Sequence, residues 1–156
     1  MNLLKTVILL INFISITYML YYVLIAIFAF REKRNEYKNN IKKKFAILIP
    51  ARNEELVIGN LVETLNNQNY SKDKYDIFVI PNNCDDNTEE VAKSFNAKII
   101  DCKNVITNSK GDVLRYAFKY LREKDYDAYL IFDADNIVHP NFISEMNNTL
   151  CNGYRV

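Results

Sequence analysis

The feature that most restricts the fold is a long apolar segment near the amino terminus. Residues 7–30 contain no charged residue, no glycine and no proline over 24 positions. As a helix this segment would be about 36 Å long, against a hydrocarbon core of about 30 Å. A cleavable signal peptide is the competing interpretation, but Phe28-Ala29-Phe30-Arg31 does not match its small-x-small cleavage site. We therefore predict one transmembrane helix over residues 7–30, after a short tail of residues 1–6.

Basic residues are distributed unevenly around this segment. Only Lys5 precedes it, whereas the linker of residues 31–44 carries seven basic and two acidic side chains. Because Lys and Arg are enriched on the cytoplasmic side of membrane helices, we expect a single-pass protein of the plasma membrane. Its amino terminus would lie outside and the rest of the chain in the cytoplasm. We also expect the basic linker to contact anionic headgroups of the lipid bilayer.

Residues 45–156 have the opposite charge balance. They contain twelve basic and seventeen acidic side chains, which argues against nucleic acid as a partner and suits a metal or a metal-bound anion. Cys84, Cys102 and Cys151 form no C-x-x-C pattern. This odd number of cysteines favours free thiols over a disulfide framework or a zinc site.

Apolar runs and helical patterns alternate along residues 45–156. Strands are predicted at 45–49, 77–80, 97–100 and in a run that begins at 127 and ends in two carboxylates. Helices are predicted at 54–68, 88–95, 110–124 and 140–151. Asn53 is expected to cap the first helix and Pro140 to open the last. This alternation predicts an α/β fold, a parallel sheet flanked by helices on both faces.

Polar segments follow three of the predicted strands, at residues 50–54, 81–88 and 133–140. The carboxyl ends of parallel strands meet at one edge of the sheet, where ligands bind, so we expect these segments to form one site. Asp133 and Asp135 would point the same way from an extended strand and could hold a divalent cation. His139, the single histidine, is more simply explained as a loop residue.

Two common nucleotide-binding signatures are missing from the sequence. No G-x-G-x-x-G follows a strand, and no G-x-x-x-x-G-K-[ST] is present. Neither a dinucleotide fingerprint nor a P-loop is therefore available.

Four segments taken together resemble the motifs of family 2 glycosyltransferases, in particular the membrane-anchored, cellulose-synthase-like members. They are FAILIPARNEE at 45–55, NCDDNT at 83–88, SKG at 109–111 and FDADN at 132–136. The four motifs stand in the order of the family. The resemblance implies a GT-A (Rossmann-like) fold, an inverting transfer from a nucleotide-sugar donor with UDP as the expected nucleotide, and Mn²⁺ or Mg²⁺ as cofactor. It assigns no acceptor.

The resemblance also implies roles for individual residues. The implied donor-binding residues are Pro50, Ala51, Glu54, Asn82, Asp86, Lys110 and Asp133. The implied metal ligands are Asp133 and Asp135. Asn82 departs from the family, which usually has Asp there, but its amide can still hydrogen-bond a base edge. Lys110 matches a basic position near the diphosphate, and a lysine at a helix start is otherwise mildly unfavourable.

The second half of the family's domain has no counterpart in this sequence. Residues 153–156 read as the start of another strand, and no motif matches the carboxylate base that inverting transfer needs. We therefore expect residues 45–156 to be the donor-binding half of a truncated GT-A domain, with little transfer activity alone. Two alternatives remain: an inactive membrane-tethered relic or interaction module on the same α/β scaffold, and a nucleotidyltransferase. The latter usually has a Gly-rich loop after its first strand, and residues 50–55 contain no glycine.

Overall fold

A computed structural model of the chain describes residues 2–29, 41–102 and 109–153. The chain forms two units, Met1–Lys38 and Asn39–Val156, which are described separately below. Three expectations concern segments partly or wholly outside the described residues. These are the linker of residues 31–44, the polar segment of residues 101–109 between the third predicted strand and the third predicted helix, and the strand start at residues 153–156.

The first unit contains helix α1 (Leu3–Ala29), which begins four residues before the predicted start. Its residues Leu3–Phe28 form a helix long and apolar enough to cross a bilayer, judged by length and composition. Two polar side chains bond back to the helix: Asn12 Nδ2 donates to Ile8 O at 2.9 Å and Thr17 Oγ1 to Phe13 O at 2.9 Å. Such bonds satisfy polar groups where no water is available.

The second unit alternates strands and helices as predicted. Its strands are β1 (Phe45–Ala51), β2 (Tyr75–Pro81), β3 (Lys98–Ile99) and β4 (Ala128–Ile131). Its helices are α2 (Ile58–Asn66), α3 (Thr88–Ser94), α4 (Lys110–Leu121) and α5 (Phe142–Cys151). A single 3₁₀ turn, Lys72–Lys74, precedes β2 within the described residues.

The four strands form one parallel sheet in the order β3-β2-β1-β4. In this register Phe45 of β1 lies beside Tyr75 on one side and beside Ala128 on the other. β1 is therefore central, and the carboxyl ends of its two neighbours lie on either side of its own. The prediction of a parallel α/β sheet is confirmed.

Helices cover both faces of the sheet because successive side chains of β1 point to opposite sides. Ile47 and Ile49 pack with side chains of α2, α3 and α5 in one buried cluster. Ala46 and Leu48 pack with side chains of α4 in a second cluster. All four of these strand side chains are fully buried. A strand buried on both faces explains the continuous apolar run.

The predicted start of α2 is wrong by four residues. The helix begins at Ile58, and a turn precedes it in which the amides of Val57 and Ile58 donate to Glu54 O at 3.1 and 3.0 Å. Asn53 does not cap the helix, and Leu56, which falls at helical spacing with the apolar residues of α2, is 87% exposed.

The predicted start of α5 also needs correction. The helix begins at Phe142 after Asn141, so Pro140 lies in the preceding turn and not at the first helical position. The carbonyl of Pro140 accepts a 2.7 Å hydrogen bond from the amide of Asn69. That bond ties the turn before α5 to the segment that follows α2.

Gly59 lies inside α2 because a neighbouring ring needs the space. A Cβ atom at this position would lie 2.8 Å from Cε2 of Phe95, which follows α3. Contacts under 3.0 Å are not tolerated without movement of one partner. Glycine lowers helix propensity by about 1 kcal/mol relative to alanine, and the close packing of α2 against Phe95 offsets this loss.

Asn147 is a buried amide that joins α5 to the segment before β1. Its Oδ1 accepts from the amide of Lys43 at 2.9 Å and from the hydroxyl of Tyr70 at 3.0 Å. Its Nδ2 donates to Ile41 O at 3.1 Å. Because each polar atom of this 5% exposed side chain has a partner, its burial is favourable in place and costly to disturb.

The three cysteines are free thiols, as predicted. Burial raises the pKa of the Cys102 thiol, which donates to Pro81 O at 2.9 Å.

Candidate functional site

A cavity of about 410 Å³ opens at the carboxyl edge of the sheet. The ends of β1, β2 and β4 and the start of α4 surround it. Its lining residues are Pro50, Ala51, Arg52, Glu54, Asn82, Ser109, Lys110, Val113, Asp133, Ala134 and Asp135. The three polar segments expected to meet at this edge therefore do so, and seven of the eight predicted site residues line one cavity.

The ends of β1 and β2 form one wall of the cavity. The strands stay paired to their last residues, with Ala51 beside Pro81. The amide of Asn82 then donates to Ala51 O at 2.9 Å, which extends the pairing by one more bond. Pro50 and Ala51, at the end of β1, both line the cavity.

Asp133 and Asp135 lie in a turn and not on an extended strand, which corrects one part of the prediction. β4 ends at Ile131, and the turn is closed by Asn136, whose amide donates to Asp133 O at 3.2 Å. The Oδ1 of Asn136 accepts from the amide of Asp133, also at 3.2 Å. Ala134 is buried between the two carboxylates, so the turn is anchored while both acidic side chains line the cavity.

Lys110 forms an ion pair with Asp133 inside the cavity. The lysine is the first residue of α4, and Ser109 caps that helix by accepting from the amide of Asp112 at 3.2 Å. A cation is unfavourable at the positive end of a helix, and the Asp133 carboxylate offsets this effect. The lysine and carboxylate side chains are 52% and 61% exposed, so the pair is well hydrated.

Asp86 is the predicted site residue that does not line the cavity. Its Oδ2 accepts from the amide of Glu55 at 3.1 Å, and its Oδ1 accepts from the amide of Thr88 at 3.1 Å and from the Thr88 hydroxyl. Burial raises the pKa of Asp86, but these hydrogen bonds outweigh it and hold the pKa below its usual value. A direct contact between Asp86 and a donor stays a prediction.

Asp133 and Asp135 stand two positions apart in one turn, and both line the cavity with carboxylates, which suit a divalent metal. Across residues 2–29, 41–102 and 109–153, no group of three or more His, Cys, Asp or Glu side chains is arranged to hold one. Mg²⁺ is nevertheless commonly bound by one or two carboxylates together with substrate phosphates. The donor set therefore fits a metal that arrives with a phosphate ligand.

Sequence reasoning missed four lining residues: Arg52, Ser109, Val113 and Ala134. Arg52 could have been found, because it stands between Ala51 and Glu54 in a segment already assigned to the site. Val113 is one turn after Lys110 on α4, so helical spacing pointed to it. His139 is exposed, does not line the cavity, and accepts from the amide of Asn141 through Nδ1 at 3.2 Å, in keeping with a loop role.

Known proteins share this architecture. Residues 43–156 match a family model described as "Glycosyltransferase like family 2". A relative from Bacillus subtilis (strain 168), named "Probable glycosyltransferase YdaM", is 33% identical over 109 residues, covering 65% of this chain and 25% of that protein. The chain thus spans about a quarter of the length of this relative.

Solved structures resemble the fold at low sequence identity. Mannosyltransferase PcManGT from Pyrobaculum calidifontis, in complex with GDP-Man and Mn²⁺, has a TM-score of 0.64 at 17% identity, covering 85% of this chain and 38% of that one. S. aureus TarS in complex with UDP-GlcNAc has a TM-score of 0.61 at 18% identity, covering 70% of this chain and 31% of that one.

Proposed function

Because this chain belongs to the glycosyltransferase-like family 2 and has the GT-A fold, we propose that residues 45–156 bind a nucleotide-sugar donor. They are the donor-binding half of a membrane-anchored, cellulose-synthase-like enzyme that transfers the sugar with inversion. UDP is the proposed nucleotide. The observation that carries the proposal is the single cavity that joins the ends of β1 and β2 to Lys110 and to the carboxylate pair of β4.

The cavity has two chemically different ends. Pro50, Ala51, Glu54 and Asn82 supply a wall with backbone, carboxylate and amide groups, which suits a nucleoside. Lys110, Asp133 and Asp135 supply one cation and two carboxylates, which suit a diphosphate with a divalent metal. This distribution of lining groups supports a donor whose base lies along the β1–β2 wall and whose phosphates lie near the start of α4 and the Asp133–Asn136 turn.

Asp133 and Asp135 would hold Mn²⁺ or Mg²⁺ in this proposal. The metal would supply Lewis-acid stabilisation of the leaving diphosphate. Lys110 would leave Asp133 and bind a phosphate oxygen, a charged hydrogen bond worth about 1.5–3 kcal/mol. Neither carboxylate is assigned as the general base, because both are required on the metal and the donor.

Membrane attachment and topology are a separate part of the proposal. α1 would anchor the chain in the plasma membrane, and the basic residues between 31 and 44 would keep the donor-binding half in the cytoplasm.

The ligands of two structural neighbours support the proposed class of donor. TarS is in complex with UDP-GlcNAc and PcManGT with GDP-Man, and both ligands are nucleotide sugars.

Calorimetric titration of UDP into the full chain, with and without Mn²⁺, tests this function. We expect wild-type protein to bind UDP weakly and Mn²⁺ to strengthen binding, while Asp135→Ala abolishes the gain from Mn²⁺. Asp125→Ala is the matched control, because Asp125 is exposed in the turn before β4, at the opposite end of that strand. Equal binding of UDP by wild type and Asp135→Ala at every Mn²⁺ concentration would refute the metal role.

The same titration separates the proposal from an inactive interaction module. A module that only uses the scaffold would bind no UDP under either condition. Sugar transfer by the full chain can be assayed in parallel with radiolabelled UDP-sugars. We expect little or no transfer, because Asp133 and Asp135 are assigned to the metal and the donor and not to the general base.

A further inference from the structure

We infer that Asn53, Glu55 and Asp86 are positioning residues that lock the loop after β1 to the loop after β2. They are expected to set nucleotide affinity without contacting the nucleotide. The inference rests on the proposed function and gives Asp86 an indirect role in donor binding. The loops are defined here as residues 52–57 and 82–87, between β1 and α2 and between β2 and α3.

Hydrogen bonds cross between the loops in both directions. The amide of Asp85 donates to Asn53 Oδ1 at 2.9 Å, so the first loop accepts from the second. The amide of Glu55 donates to Asp86 Oδ2 at 3.1 Å, so the second loop accepts from the first. Glu55 Oε2 in addition accepts from both the amide of Asn87 at 2.9 Å and its Nδ2 at 3.1 Å.

Thr88 connects this set of bonds to the protein core. Its side chain is fully buried at the first position of α3, and its hydroxyl accepts from the amide of Glu54 at 2.8 Å. The same hydroxyl donates to Asp86 Oδ1. Asp86 therefore receives bonds from Glu55 in the first loop and from Thr88 at the start of α3. These bonds outweigh the effect of burial and hold the pKa of Asp86 below its usual value, as expected for a carboxylate that accepts all of them.

The backbone conformation of both loops also indicates that the loops are held in place by the surrounding structure. Asn53 and Asn83 have φ values of 56° and 50°, in the left-handed region that non-glycine residues seldom adopt. Such conformations persist when the surrounding structure holds them in place. The bond from Asp85 to the Asn53 side chain holds the first of these residues directly.

The locked residues and the cavity residues alternate along the first loop. Arg52 and Glu54 line the cavity, whereas Asn53 and Glu55 bond to the second loop and do not line it. The lock thus orders a wall that would otherwise have to be ordered when the nucleotide binds. Pre-organised walls raise affinity because less conformational entropy is lost on binding.

Three variants of the full chain test the lock by UDP calorimetry with and without Mn²⁺. Asp86→Asn keeps an oxygen for Thr88 but turns an N–H₂ group toward the Glu55 amide, and Glu55→Ala removes the acceptor for Asn87. We expect each to weaken UDP binding about tenfold, by the same factor in both conditions, because the metal end is not involved. Glu55→Gln keeps an acceptor oxygen and should recover most of the affinity lost in Glu55→Ala.

A double-mutant cycle distinguishes positioning from direct contact. If both residues act through the same lock, Asp86→Asn combined with Glu55→Ala should lose little more affinity than the weaker-binding single variant. If the double variant loses UDP affinity by the product of the two single-variant factors, the inference is overturned. Wild-type UDP affinity in both single variants would also overturn it. Glu63→Ala, an exposed glutamate of α2 outside the loops, is the matched control.

Failure of the variant to fold and failure of the proposed function can be distinguished from failure of the lock. If Asp86→Asn does not fold, Glu55→Ala is compared with Glu55→Gln, and equal UDP binding by these two variants refutes the lock. If wild type binds no UDP, the proposed function itself fails. If wild type binds UDP and every lock variant binds it with the same affinity, only the lock is refuted.

Discussion

Replacing Lys110 by glutamine should change metal binding and nucleotide binding in opposite directions. In the structure the Lys110 ammonium group pairs with Asp133, one of the two carboxylates proposed above to hold a metal. If the proposed metal site exists, the lysine should compete with Mn²⁺ for the carboxylate when no nucleotide is bound. With nucleotide bound, both cations would contact the diphosphate, and the lysine would then strengthen nucleotide binding.

The magnitude follows from the exposure of the pair. Side chains that are 52% and 61% exposed form an ion pair worth about 0.2–1 kcal/mol. Its removal should thus strengthen the binding of Mn²⁺ alone by between about one and a half and fivefold. Loss of a charged hydrogen bond to the diphosphate costs about 1.5–3 kcal/mol, so UDP in saturating Mn²⁺ should bind between about tenfold and a hundredfold more weakly.

The assay is paired. Electron paramagnetic resonance of free Mn²⁺ gives the metal affinity without nucleotide, and calorimetry gives the UDP affinity in saturating Mn²⁺. Lys119→Gln, which removes an exposed lysine from the last turn of the same helix, is the control and should change neither value. Unchanged or weaker binding of Mn²⁺ alone by Lys110→Gln would refute the competition described above.

Three further predictions concern stability, measured by thermal or urea unfolding of the full chain in detergent. Asn147→Leu should lower the free energy of unfolding by about 1–3 kcal/mol because it removes the partners of the Lys43 amide, the Ile41 carbonyl and the Tyr70 hydroxyl, and an unchanged midpoint would contradict this. Gly59→Ala should lower the free energy of unfolding by about 1 kcal/mol, although alanine has the better helix propensity, because the new methyl group would collide with the Phe95 ring. Adding Phe95→Leu to this variant should restore the stability. A Gly59→Ala variant that is more stable than wild type would disprove the clash. Burial raises the pKa of Asp76, but hydrogen bonds from Lys98 and Tyr126 outweigh this effect and hold the pKa below its usual value. The ionised carboxylate therefore stabilises the fold fully at pH values above its unfolded pKa of about 3.9, and this stabilisation is lost as the pH falls through the lower folded pKa. Tyr126→Phe should therefore cost about 1 kcal/mol at pH 7 and less at pH 3, and a pH-independent loss would argue against this pairing.

The parallel sheet could be predicted from the sequence because its strands are buried on both faces. A continuous apolar run such as Phe45–Ile49, followed by a helical pattern, is typical of a strand in a parallel sheet covered by helices. The start of α2 was predicted wrongly for a related reason. Leu56 falls at helical spacing in the sequence, but a turn around the Glu54 carbonyl precedes the helix and leaves Leu56 in solvent.

The candidate site could be located from the sequence but its internal contacts could not. Strand ends in a parallel sheet meet at one edge whatever their side chains, so Asp133 and Asn82 were placed together by topology alone. The ion pair between Lys110 and Asp133 and the bonds of Asp86 depend on loop conformations that no periodic pattern encodes. The same holds for Asn147, whose partner Ile41 is 106 positions away.

The central position of β1 also orders the events of folding. Its pairing with β2 closes a short stretch of chain from Phe45 to Tyr75, whereas its pairing with β4 must bring Ala128 back across most of the second unit. Closing the longer loop costs more entropy, and such non-local contacts form slowly. We expect a refolding chain to complete the β1–β2 wall of the cavity first. The carboxylate pair is carried by β4, so the acidic end of the cavity would be assembled last.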